Sequence, residues 1–306
     1  MAQAFSKKRV TSDIKRIYVI IPAAGIGSRM ESEENKQFIE INGIPVITRT
    51  LNAFKEFAAS LFNYGIQLKA VVVTQSEFVF KVKTICKREG FDFVHDVVEG
   101  GATRTESVWN GIEALQFFPF PPTDNDVIFI HDGARCLIDQ DLLYRCIEGA
   151  AHYDVCAVAV DVKSTIKKVE PASEAKKEED LSKLPPIARL RATSVLKSPS
   201  KEEDAPSPFK RPAATPVDVE ETPKRNELKE VQTPQVFRYN KLLNSYANAL
   251  RKNIEATDDT SLAEAMHYKV TLIEGSYNNI KITTPEDITI AEAILKKIDA
   301  QKEAES

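Results

Sequence analysis

Small residues and two cations follow the first apolar segment of the sequence, in a pattern that suits a polyphosphate ligand. The small residues are Ala23, Ala24, Gly25 and Gly27. They let the backbone approach a ligand closely, and successive N–H groups of such a turn can bind phosphate oxygens. Arg29 and Lys36 follow, and both can fold back onto a triphosphate. Because the turn has neither the G-K-[ST] of a Walker loop nor the third glycine of a dinucleotide fingerprint, a plain strand-to-helix turn with solvated charges stays open as the alternative.

A second glycine pair, Gly100 and Gly101, stands after another apolar segment and before a helical pattern. Glycines at such a point again suit the close approach of a ligand. Either Thr103 or Thr105 is expected to cap the helix that follows. Ser107 is a candidate contact for a nucleotide base.

Asp132 lies two residues beyond the end of a strongly apolar segment and directly before Gly133. A carboxylate at the carboxyl end of a strand, facing a triphosphate, is a natural Mg²⁺ ligand, because this hard cation prefers oxygen. The alternative is a turn-forming aspartate, which is common. Further polar groups that could contact a ligand occur later in the chain, namely Thr165, Arg225, Thr233, Thr257, Asp258 and Lys281.

Short apolar runs alternating with amphipathic stretches must position these residues. The runs cover residues 17–21, 69–73, 93–98, 126–130 and 155–160. Helical spacing appears between them, for example at 46–57 and 142–151. This alternation is typical of buried parallel strands joined by helices, and it predicts a doubly wound, Rossmann-like α/β fold with a mostly parallel sheet. Such sheets bind ligands beyond the carboxyl ends of their strands.

The alternation stops after Val169. Residues 171–223 contain nine of the sixteen prolines, no glycine and many Lys and Glu residues, a composition that cannot bury enough apolar surface to fold alone. The α/β pattern then resumes with a helix at 239–250, an acidic turn at 257–265, strands at 270–275 and 279–283, and a helix that begins at Pro285. We therefore expect an N-terminal tail (1–16), a core (17–163 and 227–299) and a protruding arm (164–226) with a flexible insert at about 171–223.

The composition limits the class of protein. With 306 residues, of which 42% are hydrophobic and 28% charged, the chain can bury a sizeable core. No apolar run approaches the roughly 20 residues of a membrane span, and no signal peptide is apparent, so we expect a cytoplasmic protein. The four cysteines lack metal-ligand spacing and are expected to be mostly buried thiols. A net charge of −4 gives no general attraction to nucleic acid or membrane, so neither is expected as a partner.

Seven ordered motifs resemble one known family. They are PAAGIGSRM…KQF, GGATRTESV, HDGAR, STIK, RNELKEVQTPQVF, TDDTSLAEA and NIKITTPED. The chain resembles the 2-C-methyl-D-erythritol 4-phosphate cytidylyltransferases of the non-mevalonate isoprenoid pathway, except in its tail and its Pro-rich insert. The resemblance implies that CMP passes from CTP to 2-C-methyl-D-erythritol 4-phosphate with the help of Mg²⁺, giving 4-diphosphocytidyl-2-C-methyl-D-erythritol and pyrophosphate. Such a transfer needs no nucleophilic side chain, because the protein mainly aligns oxygens and neutralises charge.

The resemblance also implies a role for each matching residue. The catalytic set would be Arg29, Lys36 and Lys281. The nucleotide would be bound by Ala23, Ala24, Gly25, Gly27, Gly101, Ser107 and Gly133, and the metal by Asp132. The methylerythritol phosphate would be bound by Thr165, Arg225, Thr233, Thr257, Asp258 and Lys281. In the family the arm is exchanged within a homodimer, so its threonine and arginine would serve the neighbour's site.

Four positions depart from the family pattern, and they put the substrate preference in question. Asn278 stands where some members carry Asp, and three acidic family residues are replaced, by Ala102, Ser164 and Lys224. A ribitol 5-phosphate cytidylyltransferase is therefore the closest alternative, although those enzymes more typically carry a double glycine where this chain has Ala24 and Gly25. A more distant alternative is a non-catalytic sugar-nucleotide-binding protein whose insert contacts an unidentified partner. The retained cations and carboxylate argue against it.

Overall fold

The computed structural model describes residues 14–25, 35–169, 217–254 and 256–305. The chain divides into two compact units, Met1–Val160 with Lys229–Ser306, and Asp161–Leu228. The predicted arm falls within the second unit. Most of its predicted insert lies outside the described residues, as does the predicted tail up to residue 13, so the arm and its boundaries stay predictions.

The first unit contains nine strands and all seven described α-helices. The strands are β1 (Arg16–Pro22), β2 (Glu40–Ile41), β3 (Ile44–Pro45), β4 (Gln67–Thr74), β5 (Val94–Glu99), β6 (Val127–Ile130), β7 (Val155–Asp161), β10 (Lys229–Arg238) and β11 (Thr271–Glu274). The helices are α1 (Val46–Phe62), α2 (Val79–Glu89), α3 (Arg104–Leu115), α4 (Gln140–His152), α5 (Tyr239–Lys252), α6 (Asp259–Glu264) and α7 (Pro285–Glu305).

Seven of these strands form one sheet in the order β11-β7-β10-β6-β1-β4-β5. β1 runs parallel to β4 and β6, β4 to β5, and β7 to β11, whereas β10 runs antiparallel to β6. The predicted doubly wound, mostly parallel sheet is therefore confirmed.

The central strand β1 shows why helices cover both faces of this sheet. Because successive side chains of a strand point to opposite faces, Ile17, Val19 and Ile21 pack in one core with α1, α2 and α4. Tyr18 and Ile20 pack in a second core with α3, α5 and α6. A strand buried on both sides reads as an unbroken apolar run, which is how these strands were predicted.

Two predicted elements differ from the structure. The strand predicted at 279–283 is wrong, because this segment forms no ladder. Its Asn279 side chain donates to the Thr233 carbonyl, and its Ile282 N–H donates to the Ala134 carbonyl. The acidic turn predicted at 257–265 contains the short helix α6. The helix predicted from Pro285 is confirmed, and Asp287 accepts hydrogen bonds from the Thr283 and Thr284 N–H groups at its start.

The second unit contains an antiparallel ribbon of β8 (Lys168–Val169) and β9 (Val219–Glu221). Lys168 Nζ lies 2.7 Å from Glu220 Oε1 across the two strands. Within the described ranges, no helix combines the length and the hydrophobicity that a membrane span requires. All four cysteines are thiols, three of them buried, as predicted.

Candidate active site

A polar cleft of about 330 Å³ lies where β1, β5 and β6 reach their carboxyl ends. Parallel strands bring the turns that follow them to one edge of the sheet, so turns distant in sequence share this cleft. The described residues that line it are Pro22, Ala24, Gly25, Lys36, Gln37, Gly101, Ala102, Thr103, Arg104, Ser107, Asp132, Ala134 and Lys281.

The structure brings seven of the predicted site residues to this cleft. They are Ala24, Gly25, Lys36, Gly101, Ser107, Asp132 and Lys281. Arg29 and Gly27 lie outside the described residues. Thr165 and Arg225 belong to the second unit, in which Arg225 Nη2 donates to Thr165 Oγ1 at 3.2 Å.

The other predicted site residues do not line the cleft in the described structure. Ala23 and Gly133 are packed together behind it, since a Cβ at Gly133 would lie 3.1 Å from the Ala23 Cβ. Thr233 is buried, and Thr257 is exposed. Asp258 caps α6, accepting from Ser261 N at 3.0 Å, so its carboxylate already has a structural role.

Two glycines allow the first and second turns to pack against each other. A Cβ at Gly100 would lie 2.7 Å from the Ala24 Cβ and 2.8 Å from Ser107 Oγ, closer than real side chains pack. The Gly101 N–H donates to Ser107 Oγ at 3.1 Å, which orients that hydroxyl. Of the two candidate caps of α3, Thr103 is the one that accepts from the Glu106 N–H. Ala24, Gly101 and Ser107 therefore lie together in one wall of the cleft.

The carboxylate of Asp132 is nearly buried and lies among three cations. Lys281 Nζ is 2.8 Å from Asp132 Oδ2, and Arg104 Nη2 and Arg135 Nε are each 3.6 Å from a carboxylate oxygen. Burial by itself would raise the pKa of the Asp132 carboxyl, but these cations together hold it well below its ordinary value. Asp132 is therefore ionised at neutral pH.

Arg104 lines the cleft, although the sequence analysis did not include it among the site residues. Its guanidinium makes a two-point ion pair with Asp259, with Nη2 2.7 Å from Oδ2. Asp259 is fully buried and also accepts from the Tyr246 hydroxyl. Burial would lower the pKa of Arg104, but the charge of Asp259 raises it above its ordinary value. The position of Arg104 in the motif GGATRTESV was the available signal.

The donor set fits a magnesium ion that arrives with a nucleotide. In the described part of the chain, no group of three His, Cys, Asp or Glu side chains could hold a metal by itself. Asp132 nevertheless offers an ionised carboxylate at the cleft. Mg²⁺ is usually held by one or two carboxylates together with substrate phosphates, and this arrangement provides the protein's share.

Comparisons with known proteins identify the family of this chain. The family model described as IspD, 2-C-methyl-D-erythritol 4-phosphate cytidylyltransferase, matches residues 17–187 and 209–297. The chain is 37% identical over 279 residues to the protein of that name from Clostridium novyi (strain NT), covering 91% of this chain and 96% of that one. It is 36% identical over 284 residues to the one from Alkaliphilus oremlandii (strain OhILAs), covering 93% and 97%.

A solved structure gives the same result. The 4-diphosphocytidyl-2C-methyl-D-erythritol synthase from Anaerococcus prevotii DSM 20548 is similar with a TM-score of 0.64 and 25% identity, covering 92% of this chain and 99% of that one. The resemblance seen in the seven motifs is confirmed: the chain belongs to the 2-C-methyl-D-erythritol 4-phosphate cytidylyltransferase family.

Proposed function

We propose that this chain transfers CMP from CTP to 2-C-methyl-D-erythritol 4-phosphate, releasing pyrophosphate. The observation that carries the proposal, besides family membership, is the charge of the cleft. Its described lining has three cations, Lys36, Arg104 and Lys281, against one carboxylate, Asp132, a balance of +2 in a chain of net charge −4. A local excess of positive charge concentrates a triphosphate and a sugar-alcohol phosphate at one place.

The chemistry assigned to these residues is positioning and charge neutralisation. We assign cytosine to the wall formed by Ala24, Gly101 and Ser107, which leaves the phosphates toward Lys36 and Lys281. The two ammonium groups would stabilise the charge that develops on the α-phosphate as the alcohol oxygen attacks and pyrophosphate leaves. Asp132 would hold Mg²⁺ together with the triphosphate, and the ion would further neutralise the charge of the phosphate oxygens.

A product assay tests this proposal against the ribitol alternative. With CTP and Mg²⁺, we expect pyrophosphate release with 2-C-methyl-D-erythritol 4-phosphate, at a rate at least about 100-fold above that with ribitol 5-phosphate, since a missing or misplaced polar contact costs several kcal/mol. The cytidylylated product is identified by mass spectrometry, and excess chelator should abolish turnover. A faster reaction with ribitol 5-phosphate would assign the other substrate, and full activity in chelator would rule out the metal.

We further propose that the chain works in the cytoplasm as a homodimer with exchanged arms, so that Thr165 and Arg225 serve the partner's cleft. The four thiols support a reducing compartment. The second unit supports the dimer, because it exposes apolar side chains that a partner surface could cover. These side chains are Ile166, Val169, Val217 and Val219.

Mixed dimers test the exchange. Lys281→Ala and Arg225→Ala should each be nearly inactive, and they should complement each other when unfolded and refolded together. A mixed dimer would carry both lesions in one composite site and neither in the other. Because half of the dimers would be mixed, about a quarter of wild-type activity should return. Each variant refolded alone is the control, and verified mixed dimers without activity would place Arg225 in its own subunit's site.

A further inference from the structure

A chain of buried hydrogen bonds lies directly behind Asp132. The Asp132 N–H donates to Thr233 Oγ1 at 3.0 Å, and Thr233 Oγ1 lies 3.1 Å from His131 Nδ1. His131 Nε2 lies 3.1 Å from the Arg135 carbonyl oxygen. His131 is fully buried and Thr233 nearly so, and neither lines the cleft.

The partners determine the direction of every hydrogen bond in this chain. The Arg135 carbonyl can only accept, so His131 Nε2 carries the proton and donates. With the proton on Nε2, Nδ1 of the neutral ring is the acceptor that lies 3.1 Å from the Thr233 hydroxyl. The Thr233 hydroxyl therefore donates to Nδ1 while its oxygen accepts from Asp132. One arrangement of hydrogens satisfies all four groups.

The register of the sheet explains why a side chain is needed at this point. β10 pairs antiparallel with β6, with Gln235 opposite Ile130, so Thr233 falls opposite Asp132, beyond the last ladder pair. The N–H of Asp132 has therefore left the β-ladder, and the Thr233 hydroxyl takes the place of the missing strand carbonyl. An alanine or valine at this position would leave that buried N–H without an acceptor.

The backbone of Thr233 also holds the segment that carries Lys281. The Asn279 side-chain amide donates to the Thr233 carbonyl at 2.8 Å, and the Asn279 carbonyl accepts from Arg135 Nη1 at 2.8 Å. Lys281 follows two residues later and reaches Asp132. Thr233 therefore contacts both sides of the Asp132–Lys281 pair. Its hydroxyl accepts from the Asp132 N–H, and its carbonyl accepts from Asn279, which lies two residues before Lys281.

We propose that Thr233, oriented by His131, is a positioning residue that fixes Asp132 and Lys281 relative to each other, and that it does not contact the alcohol phosphate. This inference rests on the proposed cytidylyl transfer. It differs from the sequence prediction, which placed Thr233 among the substrate-binding residues. The placement of two charges that act together matters for rate, because a displacement of about 1 Å can cost on the order of 100-fold.

Three substitutions separate positioning from substrate contact. Thr233→Val keeps the shape and removes the hydroxyl, and Thr233→Ser keeps the hydroxyl and removes the methyl. Thr48→Val is the matched control, since Thr48 is a buried threonine away from the cleft whose hydroxyl has no hydrogen-bond partner within the described structure. We expect Thr233→Val to lower kcat by roughly 10- to 100-fold, with KM values for both substrates changed less than about threefold. Thr233→Ser and Thr48→Val should stay within about threefold of wild type.

The ring of His131 gives a readout that needs no turnover. In ¹⁵N-labelled protein at pH 7, Thr233→Val should shift the His131 Nδ1 resonance toward that of an acceptor without a hydrogen bond, while Thr233→Ser preserves it. An unchanged resonance in Thr233→Val would overturn the proposed orientation. Because this measurement does not depend on substrate, it separates failure of this inference from failure of the proposed function.

The values of kcat and KM test whether Thr233 acts by positioning or by contacting the substrate. A Thr233→Val enzyme with wild-type kcat, or one whose KM for the alcohol phosphate alone rises, would overturn the positioning role, the latter in favour of substrate contact. A Thr233→Ser enzyme as slow as Thr233→Val would show that the hydroxyl is not the operative group. Thermal melts check folding, and Thr233→Ala provides the same comparison if the valine variant does not fold.

Discussion

Replacing Asp132 with alanine is expected to lower kcat by on the order of 100- to 1,000-fold, the usual cost of removing one charged group that acts in the transition state. The substitution removes the carboxylate that the site offers to Mg²⁺ and the partner that holds Lys281 at 2.8 Å. It also leaves Lys281, Arg104 and Arg135 without their shared counter-charge. The dependence of kcat on Mg²⁺ concentration, measured at saturating CTP, should shift to higher concentrations.

The isosteric variant Asp132→Asn separates charge from shape. It preserves the backbone N–H and the side-chain volume, so it should be nearly as slow as Asp132→Ala if charge is the operative property. Wild-type rate and Mg²⁺ dependence in either variant would mean that Asp132 is a turn residue, the alternative left open by the sequence.

Replacing Asp259 with alanine is expected to lower the free energy of unfolding by about 3 kcal/mol, because it removes both the two-point partner of the partly buried Arg104 guanidinium and the acceptor of the buried Tyr246 hydroxyl. Urea unfolding without nucleotide, followed by circular dichroism, measures this difference. Tyr246→Phe removes only the hydroxyl that donates to Asp259 and should cost about 1 kcal/mol. Activity of Asp259→Ala should fall as well, since Arg104 lines the cleft.

A surface ion pair serves as the control for Asp259. Asp154 is largely exposed and lies 3.9 Å from Lys241, so Asp154→Ala should change stability by less than about 1 kcal/mol. If Asp259→Ala is no more destabilising than Asp154→Ala, the Arg104–Asp259 pair contributes no more than an ordinary surface contact.

The parts of the fold that could be predicted are those that depend on short-range patterns in the sequence. The strand 17–21 was recognisable because both of its faces are buried, so hydrophobic residues follow one another. The cap of α3 was predicted only as either Thr103 or Thr105, and the structure shows that Thr103 forms a capping box with Glu106. Strand β10 was missed, because Gln232, Thr233 and Pro234 interrupt its apolar pattern.

The polar residues of β10 show why part of the site could not be predicted. Gln232 and Thr233 are buried because they form hydrogen bonds with Ser276 and Asp132, and a single sequence does not reveal such partners. The alternation of Ile280 and Ile282 with polar residues is typical of a strand, but this segment is held by single hydrogen bonds to Thr233 and Ala134 and not by a ladder. The pairing of Arg104 with Asp259 joins residues 155 positions apart, which no local pattern encodes.

The placement of β10 beside β7 has a consequence for how the length of this chain can vary. β7 ends at Asp161 and β10 begins at Lys229, and the two strands are neighbours in the sheet. The chain segment between them therefore starts and finishes at points that the core already holds close together. Because the entropy of closing a loop grows only with the logarithm of its length, about 0.6 kcal/mol per doubling, the core can accept long or short segments here at nearly the same stability. At this junction the chain can therefore gain or lose sequence without disturbing the sheet.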